Sequence, residues 1–500
     1  MIHIILKQRE YEHDAYDLIK AFFHEDKLMV TDDGVLDLEV LKKMKRTHEE
    51  DEIRYVFELE AEREVFQIAI YQNGKIVYED KEAVTTWVKK ENHNQWKRFL
   101  YRVLTKLTGE ELPWGILTGV RPTKIVLNQL EENIDENEIE SYMTDEYLCM
   151  QDKIDLSLKI AKREIEVLRN CDYQNGYSIY VGIPFCPTIC NYCSFASYSL
   201  EKHENILDEY LNALEKEIIY AGNSISHKKL TTVYVGGGTP TSLNEQQLER
   251  LLQMLRKNLD FSNVCEFTVE AGRPDSITRE KLQILKKYQV DRISINPQTM
   301  NQKTLDVIGR KHSVDQIREC YQMAREEGHD NINMDMILGL TGETLEDVKY
   351  TLEEIGKLSP DSLTVHTLAK KRAADLTINK DKYKDYEQGK VSDMLEESIQ
   401  FTKMNGYEPY YLYRQKNMRE NLENTGYARY GKEGIYNILI MEEKQTILAL
   451  GAGGLSKFVF HKENRLERVE NVKSIRDYIG RIDEMIERKR NFIEQNQKDL

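Results

Sequence analysis

Three of the seven cysteines fall within eight residues of one another, in the stretch YVGIPFCPTICNYCSFASY: Cys186, Cys190 and Cys193, spaced C-x3-C-x2-C. Thiolates on one short, proline-containing loop can converge on an iron–sulfur cluster or another soft metal centre. A structural zinc site takes four protein ligands, and the next candidate, His203, lies beyond the start of a helix. A disulfide would use two of the thiols and strand the third. An odd cysteine count in a long chain also argues for a reducing, cytoplasmic setting. Three ligands without a fourth point to a [4Fe-4S] cluster with one iron open to a small molecule. Cys149, Cys171, Cys265 and Cys320 read as small packing residues.

Other residues could do chemistry around such a centre. The run Gly236-Gly237-Gly238-Thr239-Pro240-Thr241 lacks side chains at three consecutive positions. Backbone can approach a ligand closely there, and free N–H groups could bind a carboxylate or an amino acid. Glu270, at the end of EFTVEA, could accept hydrogen bonds from ribose hydroxyls. Asp335 sits inside the apolar run INMDMIL, where a lone buried charge is costly. His366 fits a functional role and a satisfied core histidine equally well. The Gly- and Pro-containing stretch PWGILTGVRPTK (113–124) reads first as a cluster of turns.

The elements that must position these residues are legible as an alternation. YSIYVGI (177–183), TTVYVG (231–236), EFTVEA (266–271), DRISIN (291–296), NINMDMIL (331–338) and SLTVHTL (362–368) read as strands separated by amphipathic helices. Six strand–helix units imply a parallel sheet with right-handed crossovers, the α/β class, here as an open, partial (βα)6 TIM-type barrel. Chemistry in such a fold belongs at the C-terminal ends of the strands. The cysteine loop directly follows the first strand, Gln298 follows the fourth and Arg310 lies in the helix region after it. Before the barrel, IHIIL, RYVFELE, FQIAIYQ and KIVYED read as strands of an α+β unit, with a hairpin turn at Asn73-Gly74, and 94–109 and 121–170 as helical. The division expected is 1–170, an N-terminal α+β domain with a helical linker; 171–375, the barrel; and 376–500, a C-terminal extension covering the substrate. The last 35 residues of that extension read as a charged, solvated helix.

Over 500 residues, 70 Lys and Arg stand against 86 Asp and Glu, a net charge of −16, which argues against a nucleic-acid-binding surface. Mean hydropathy is −0.61, and no apolar run is long enough to span a membrane. The chain reads as a cytoplasmic monomer.

C-x3-C-x2-C after the first strand of a (βα)6 barrel resembles the signature of the radical S-adenosylmethionine (SAM) superfamily. Tyr180, Ile183, Pro184, Phe185 and Cys186, with GGGTPT after the second strand, resemble the oxygen-independent coproporphyrinogen III oxidases. Gly182 departs, standing where that family usually has His. The likeness covers about residues 176–370. Gly182, the N-terminal domain with TGVRPTK, and YYLYRQKN together look like the HemZ branch.

The resemblance implies a [4Fe-4S] cluster on Cys186, Cys190 and Cys193. It implies SAM contacts at Tyr180, Gly237, Gly238, Thr239, Glu270, Gln298, Arg310 and Asp335, and places Tyr192 at an aromatic position near a second SAM site. It implies a 5′-deoxyadenosyl radical that removes hydrogen from a propionate β-carbon, with loss of carbon dioxide, converting two propionates of a tetrapyrrole to vinyls. The implied partners are the tetrapyrrole, an external low-potential electron donor and an electron acceptor. Arg121, Lys124, Arg414 and Lys416 are candidates to meet the substrate's carboxylates. The family also contains a haem-binding chaperone, whose cluster motif continues Cys-x-Phe as Cys193-Ser194-Phe195 does here. Its His-Asn-x-x-Tyr-Trp motif is absent from the C-terminal region, and His93-Asn94-Gln95-Trp96 is a partial echo elsewhere. A radical SAM enzyme acting on another tetrapyrrole is the remaining alternative.

Overall fold

A computed structural model describes residues 1–32, 52–193, 197–225, 227–369, 389–415 and 422–497. Lys416, Ser194 and Phe195 lie outside the described residues. Among the described residues no helix is long and apolar enough to cross a membrane. The chain divides into two compact units, Met1–Leu158 with Arg414–Leu422, and Lys159–Tyr413 with Glu423–Leu500.

The first unit is built on a five-stranded sheet of order β2-β1-β3-β4-β5. Its strands are β1 (Ile2–Leu6), β2 (Leu28–Thr31), β3 (Tyr55–Ala61), β4 (Val65–Gln72) and β5 (Lys75–Ala83). β1 runs parallel to both its neighbours, and β3, β4 and β5 are antiparallel. Asn73 and Gly74 make the two-residue hairpin between β4 and β5, with φ of 51° and 72°, the left-handed pair that matches strand twist. The helix expected over 94–109 spans Lys89–Thr108 and buries Trp96, Phe99, Leu100 and Leu104. The stretch 121–170 resolves into helices Thr123–Glu131, Glu136–Tyr147 and Gln151–Leu168.

The first part of the loop 113–124 packs into the fold. Trp114 and Ile116 are fully buried. Gly115 has φ of 52°, and a Cβ there would lie 2.1 Å from the Tyr147 carbonyl oxygen, so only glycine fits. Arg414 is 4% exposed; its Nη1 donates to the Leu117 carbonyl at 2.5 Å, and its guanidinium lies 5.9 Å from the Trp114 ring centroid. It fastens this loop, and its charge is turned inward among those partners.

The second unit carries an eleven-stranded sheet of order β14-β15-β13-β12-β11-β10-β9-β6-β16-β17-β18. Six parallel strands form its centre: β6 (Gly176–Ile183), β9 (Lys229–Gly237), β10 (Glu266–Glu270), β11 (Arg292–Ser294), β12 (Ile332–Leu338) and β13 (Ser362–Thr367). β7 (Phe185–Cys186) and β8 (Tyr198–Ser199) form a separate small pair at the cysteine loop. The crossover helices put apolar stripes on the sheet, such as Leu248, Leu251, Leu252 and Leu255 of Glu245–Asn258. Several start at reciprocal capping boxes, Asn244 with Gln247, Ser313 with Gln316 and Thr344 with Asp347, which satisfy end N–H groups and fix where each strand-to-helix loop stops.

The residues after 422 do not form a body of their own. β15 (Asn424–Ala428) pairs antiparallel with β13, and β14 (Glu408–Tyr413) with β15. β16 (Thr446–Leu450) lies parallel to β6 on the side away from β9, followed by antiparallel β17 (Leu455–Phe460) and β18 (Arg465–Glu470). The last helix, Ile482–Gln495, was expected to be solvated, yet it buries Met485, Ile486 and Lys489.

One face of the parallel strands is polar. The register aligns Tyr180 with Tyr234, Tyr234 with Thr268 and Thr268 with Arg292; further along, Glu270 with Ser294, Ser294 with Asn333, and Asp335 with Thr364. Side chains alternate along a strand, so these residues share one face and the aliphatic ones take the other, against the helices. The polar face forms the lumen.

Candidate functional site

The cysteine loop leaves β6 at Pro184 and is held from three directions. Beneath it, Gly238 N–H donates to the Ile183 carbonyl at 2.9 Å and Thr239 N–H to the Phe185 carbonyl at 2.7 Å. On a second side Asn191 N–H meets the Ile308 carbonyl at 3.0 Å and its Nδ2 the Val307 carbonyl at 2.8 Å. On a third, Arg273 Nη1 donates to the Thr188 carbonyl and hydroxyl, each at 2.8 Å. Cys186 is buried and Cys190 and Cys193 are half-buried; none is in a disulfide. Thr239 Oγ1 donates to Cys186 Sγ at 3.5 Å, and Arg273 Nη1 reaches Cys190 Sγ at 3.8 Å. Burial pushes the Cys186 thiol up to about 11, so its thiolate form needs a positive partner.

The glycine run corrects one expectation. The N–H groups of Gly238 and Thr239 are committed to the cysteine loop rather than free for a ligand. A Cβ on Gly238 would lie 2.6 Å from the Phe185 carbonyl oxygen. One on Gly236 would lie 2.7 Å from the Tyr234 ring and 2.9 Å from the Glu270 carboxylate. The glycines let backbone and side chains of this chain meet.

Glu270 ends β10 at the lumen. Tyr234 donates its hydroxyl to Glu270 Oε1 at 2.5 Å. Burial, with a smaller push from the nearby Asp335 charge, raises the carboxyl to about 7 against the Tyr234 bond. Tyr234 belongs to a cluster of three near-parallel rings, in which Tyr180 and Tyr436 also stand 6.4 Å apart. Its centroid is 6.2 Å from Tyr180 and 4.5 Å from Tyr436, with interplanar angles of 17° and 22°. Tyr436 opens the helix Ile435–Glu442, whose first N–H groups are capped by the Glu266 carboxylate at 2.8 and 3.1 Å.

Asp335, on β12, accepts from Asn333 Nδ2 at 2.7 Å and lies 3.8 Å from His366 Nε2, while Tyr413 hydroxyl is 3.2 Å from His366 Nδ1. Burial opposes ionisation of Asp335, but these partners outweigh it and hold its carboxyl below the ordinary range. Gln298 is buried with φ of 67°, a left-handed conformation unusual for glutamine. It is braced by its N–H to the Asp335 carbonyl at 2.9 Å and its carbonyl to Ile337 N–H at 3.0 Å.

Arg310 is buried and donates Nη1 to the Asn296 and Pro297 carbonyls. Its charge acts on Cys190 and on Tyr192, whose phenol burial raises and Arg310 lowers. The structure thus gathers Tyr180, Tyr192, Gly237, Gly238, Thr239, Glu270, Gln298, Arg310, Asp335 and the three cysteines at the C-terminal ends of the parallel strands and the loops beyond. The sequence reading did not single out Arg273, Tyr234 or Tyr436. Arg273 was within its reach, as a charged residue just past the third strand. Tyr436 was not, because its place depends on a helix capped by Glu266, far away in sequence.

The residues present fit a cluster and a polar ligand. Cys190, on the loop that carries all three sulfurs, stands beside two buried guanidinium groups. Ser294 Oγ, Asn296 Oδ1, Arg310 Nε and Tyr436 Oη are buried with no hydrogen-bond partner among the described residues. Native proteins rarely leave such groups unpaired, so donors and acceptors stand ready in the lumen. Among the described residues, no three His, Cys, Asp or Glu side chains are arranged to hold a single metal ion.

The family model for the radical SAM superfamily matches residues 180–355. The oxygen-independent coproporphyrinogen-III oxidase-like protein HemZ of Bacillus subtilis is 43% identical over 392 residues, covering 78% of each chain. The heme chaperone HemW of the same organism is 40% identical over 192 residues, 38% of this chain and 50% of that one. Among solved structures, coproporphyrinogen III oxidase (HemN) from Escherichia coli, described as a radical SAM enzyme, superposes with a TM-score of 0.51 at 25% identity, covering 64% of this chain and 72% of that one.

Proposed function

The chain belongs to the oxygen-independent coproporphyrinogen III oxidase-like family of the radical SAM superfamily, whose cofactors are a [4Fe-4S] cluster and SAM, and from that we propose that it converts two propionates of coproporphyrinogen III to vinyls, giving protoporphyrinogen IX. The observation that carries the reading is a three-cysteine loop fastened over a polar lumen, in a chain whose likeness to HemZ runs well past the superfamily segment 180–355.

Cys186, Cys190 and Cys193 would hold the cluster. Glu270, Gln298, Arg310 and Asp335, with Tyr180 and Tyr192, would hold SAM, and the Gly237–Thr239 turn would support the cysteine loop beside it. When bound, these groups supply a carbon-centred radical able to take a hydrogen atom from a propionate β-carbon. Each vinyl then requires loss of one carbon dioxide and one electron from the substrate, so an external donor and an acceptor are both needed. Arg310 and Arg273 place positive charge beside the sulfurs. Glu270, kept close to neutral pH by burial, can accept from a ribose hydroxyl at little ionisation cost once a partner arrives. The rings of Tyr180, Tyr234 and Tyr436 pack together beside Glu270 and would limit the water that reaches it.

The test is anaerobic reconstitution with iron, sulfide, SAM, a low-potential reductant and coproporphyrinogen III, followed by product analysis. The expected result is vinyl product with carbon dioxide and 5′-deoxyadenosine. 5′-Deoxyadenosine without vinyl product overturns the substrate, and stoichiometric haem binding without turnover supports a chaperone instead.

A further inference from the structure

Arg273 is more than a surface cation near the cysteine loop. Its side chain is buried, and almost every direction of its guanidinium is fixed. Asp275 takes Nε at 2.9 Å and Nη2 at 2.6 Å. Nη1 is left to the cysteine loop, donating to Thr188 carbonyl and hydroxyl at 2.8 Å and reaching Cys190 Sγ at 3.8 Å. Its own carbonyl accepts Ser276 Oγ at 2.7 Å and Ser276 N–H at 3.0 Å, so the backbone cannot swing the side chain away. An arginine chelated by one carboxylate and aimed by its remaining edge at a sulfur is a built arrangement.

We propose that Arg273 is a positioning residue that raises the reduction potential of the cluster on this loop, with Asp275 as the counter-charge that limits the effect. The proposal rests on the reading that Cys186, Cys190 and Cys193 are the cluster ligands. The step concerned is a single-electron one. A [4Fe-4S]2+ cluster with three thiolates carries net charge −1, and one electron from an external low-potential donor takes it to [4Fe-4S]+ and −2, with no bond made or broken. An N–H donated to a ligand sulfur and a fixed positive charge both favour the more negative state, and in a buried site neither is screened by water. Arg273→Gln keeps a donor for Thr188 and removes the charge. Asp275→Asn keeps the arginine and removes its counter-charge. A purely structural role would not drive the two variants in opposite directions.

The experiment is an anaerobic redox titration of the reconstituted full chain, followed by electron paramagnetic resonance, with iron and acid-labile sulfide counted in each variant. At the wild-type midpoint, the reduced fraction is expected to fall from a half to roughly a tenth in Arg273→Gln. It should fall less in Arg273→Lys, which restores the charge, and should rise above a half in Asp275→Asn. An unchanged midpoint in Arg273→Gln with full cluster content overturns the proposal, as does a shift of both variants in the same direction. Should Arg273→Gln take up no cluster, Asp275→Asn decides alone, and a midpoint unchanged or more negative overturns it. A wild-type chain that takes up no iron and sulfide overturns the ligand reading and this proposal with it.

Discussion

Two buried polar clusters in the second unit make opposite use of the same kinds of residue. Behind the sheet, Glu217 and Lys489 form an ion pair at 2.7 Å with both side chains essentially inaccessible. Every Glu217 oxygen is doubly satisfied: Oε1 by Lys489 and Asn471 Nδ2 at 2.8 Å, Oε2 by Gly451 N–H at 2.8 Å and Tyr478 hydroxyl at 2.6 Å. In the lumen, by contrast, Ser294 Oγ, Asn296 Oδ1, Arg310 Nε and Tyr436 Oη have no partner among the described residues, and Glu270 is held up near 7. A closed network states that its work is done by holding the fold, while an open one is incomplete until something binds. Burial and charge alone would have scored the two clusters alike.

Four measurements would break or sharpen that contrast. Cys190→Ala should abolish the visible absorbance of the cluster and all SAM cleavage while leaving the denaturation midpoint of the cluster-free chain near wild type; retained cleavage would end the ligand assignment. Lys489→Ala leaves Glu217 charged and buried, and should cost about 3–5 kcal/mol in chemical denaturation. A cost below 1 kcal/mol would mean that the closed network is not what secures the last helix.

The third concerns pH. Folded Glu270 keeps its proton to about 7 against an ordinary value of 4.5. Between those values the native state binds more protons than the unfolded chain, so stability falls as pH rises through that window. Glu270→Gln should remove about 1–3 kcal/mol of that fall between pH 5 and 8. Glu343, also raised to about 7 by burial, keeps its own share, as do Glu266 and Asp291, which burial raises too. Identical pH slopes for variant and wild type would place Glu270 in water. The smallest effect is the sharpest comparison. Tyr478→Phe deprives Glu217 of a donor and should cost about 1–3 kcal/mol, whereas Tyr436→Phe removes a hydroxyl that pairs with nothing described and should change stability by less than about 0.5 kcal/mol. Equal costs in urea melts would erase the distinction between the clusters.

The alternation of β-branched runs and amphipathic helices sufficed for the parallel strands, because buried parallel strands and their covering helices have distinct periods. The cysteine spacing sufficed for the loop. What escaped depends on partners distant in sequence. TILAL, which forms β16, is a short apolar run with nothing local to show that it pairs with β6. The last helix reads as charged along its length, and the burial of Lys489 is visible only once Glu217 is known to wait for it. The glycine run was legible as a close approach, but what approaches is the carbonyls of Ile183 and Phe185 rather than a ligand. Cys265 was read with the packing cysteines and is exposed.

The placement of β16 has a consequence for the order in which the molecule can be made. β6, which delivers the cysteine loop, is flanked by β9 on one edge and by β16 on the other, and Gly451 at the end of β16 is held through Glu217. At about 5–20 residues per second, the ribosome finishes β16 on the order of tens of seconds after β6 has emerged. During that interval β6 has one open edge. The partners that hold the cysteine loop all emerge before β16 does, so the loop can be fastened while the strand that delivers it still waits as a temporary sheet edge for its last neighbour.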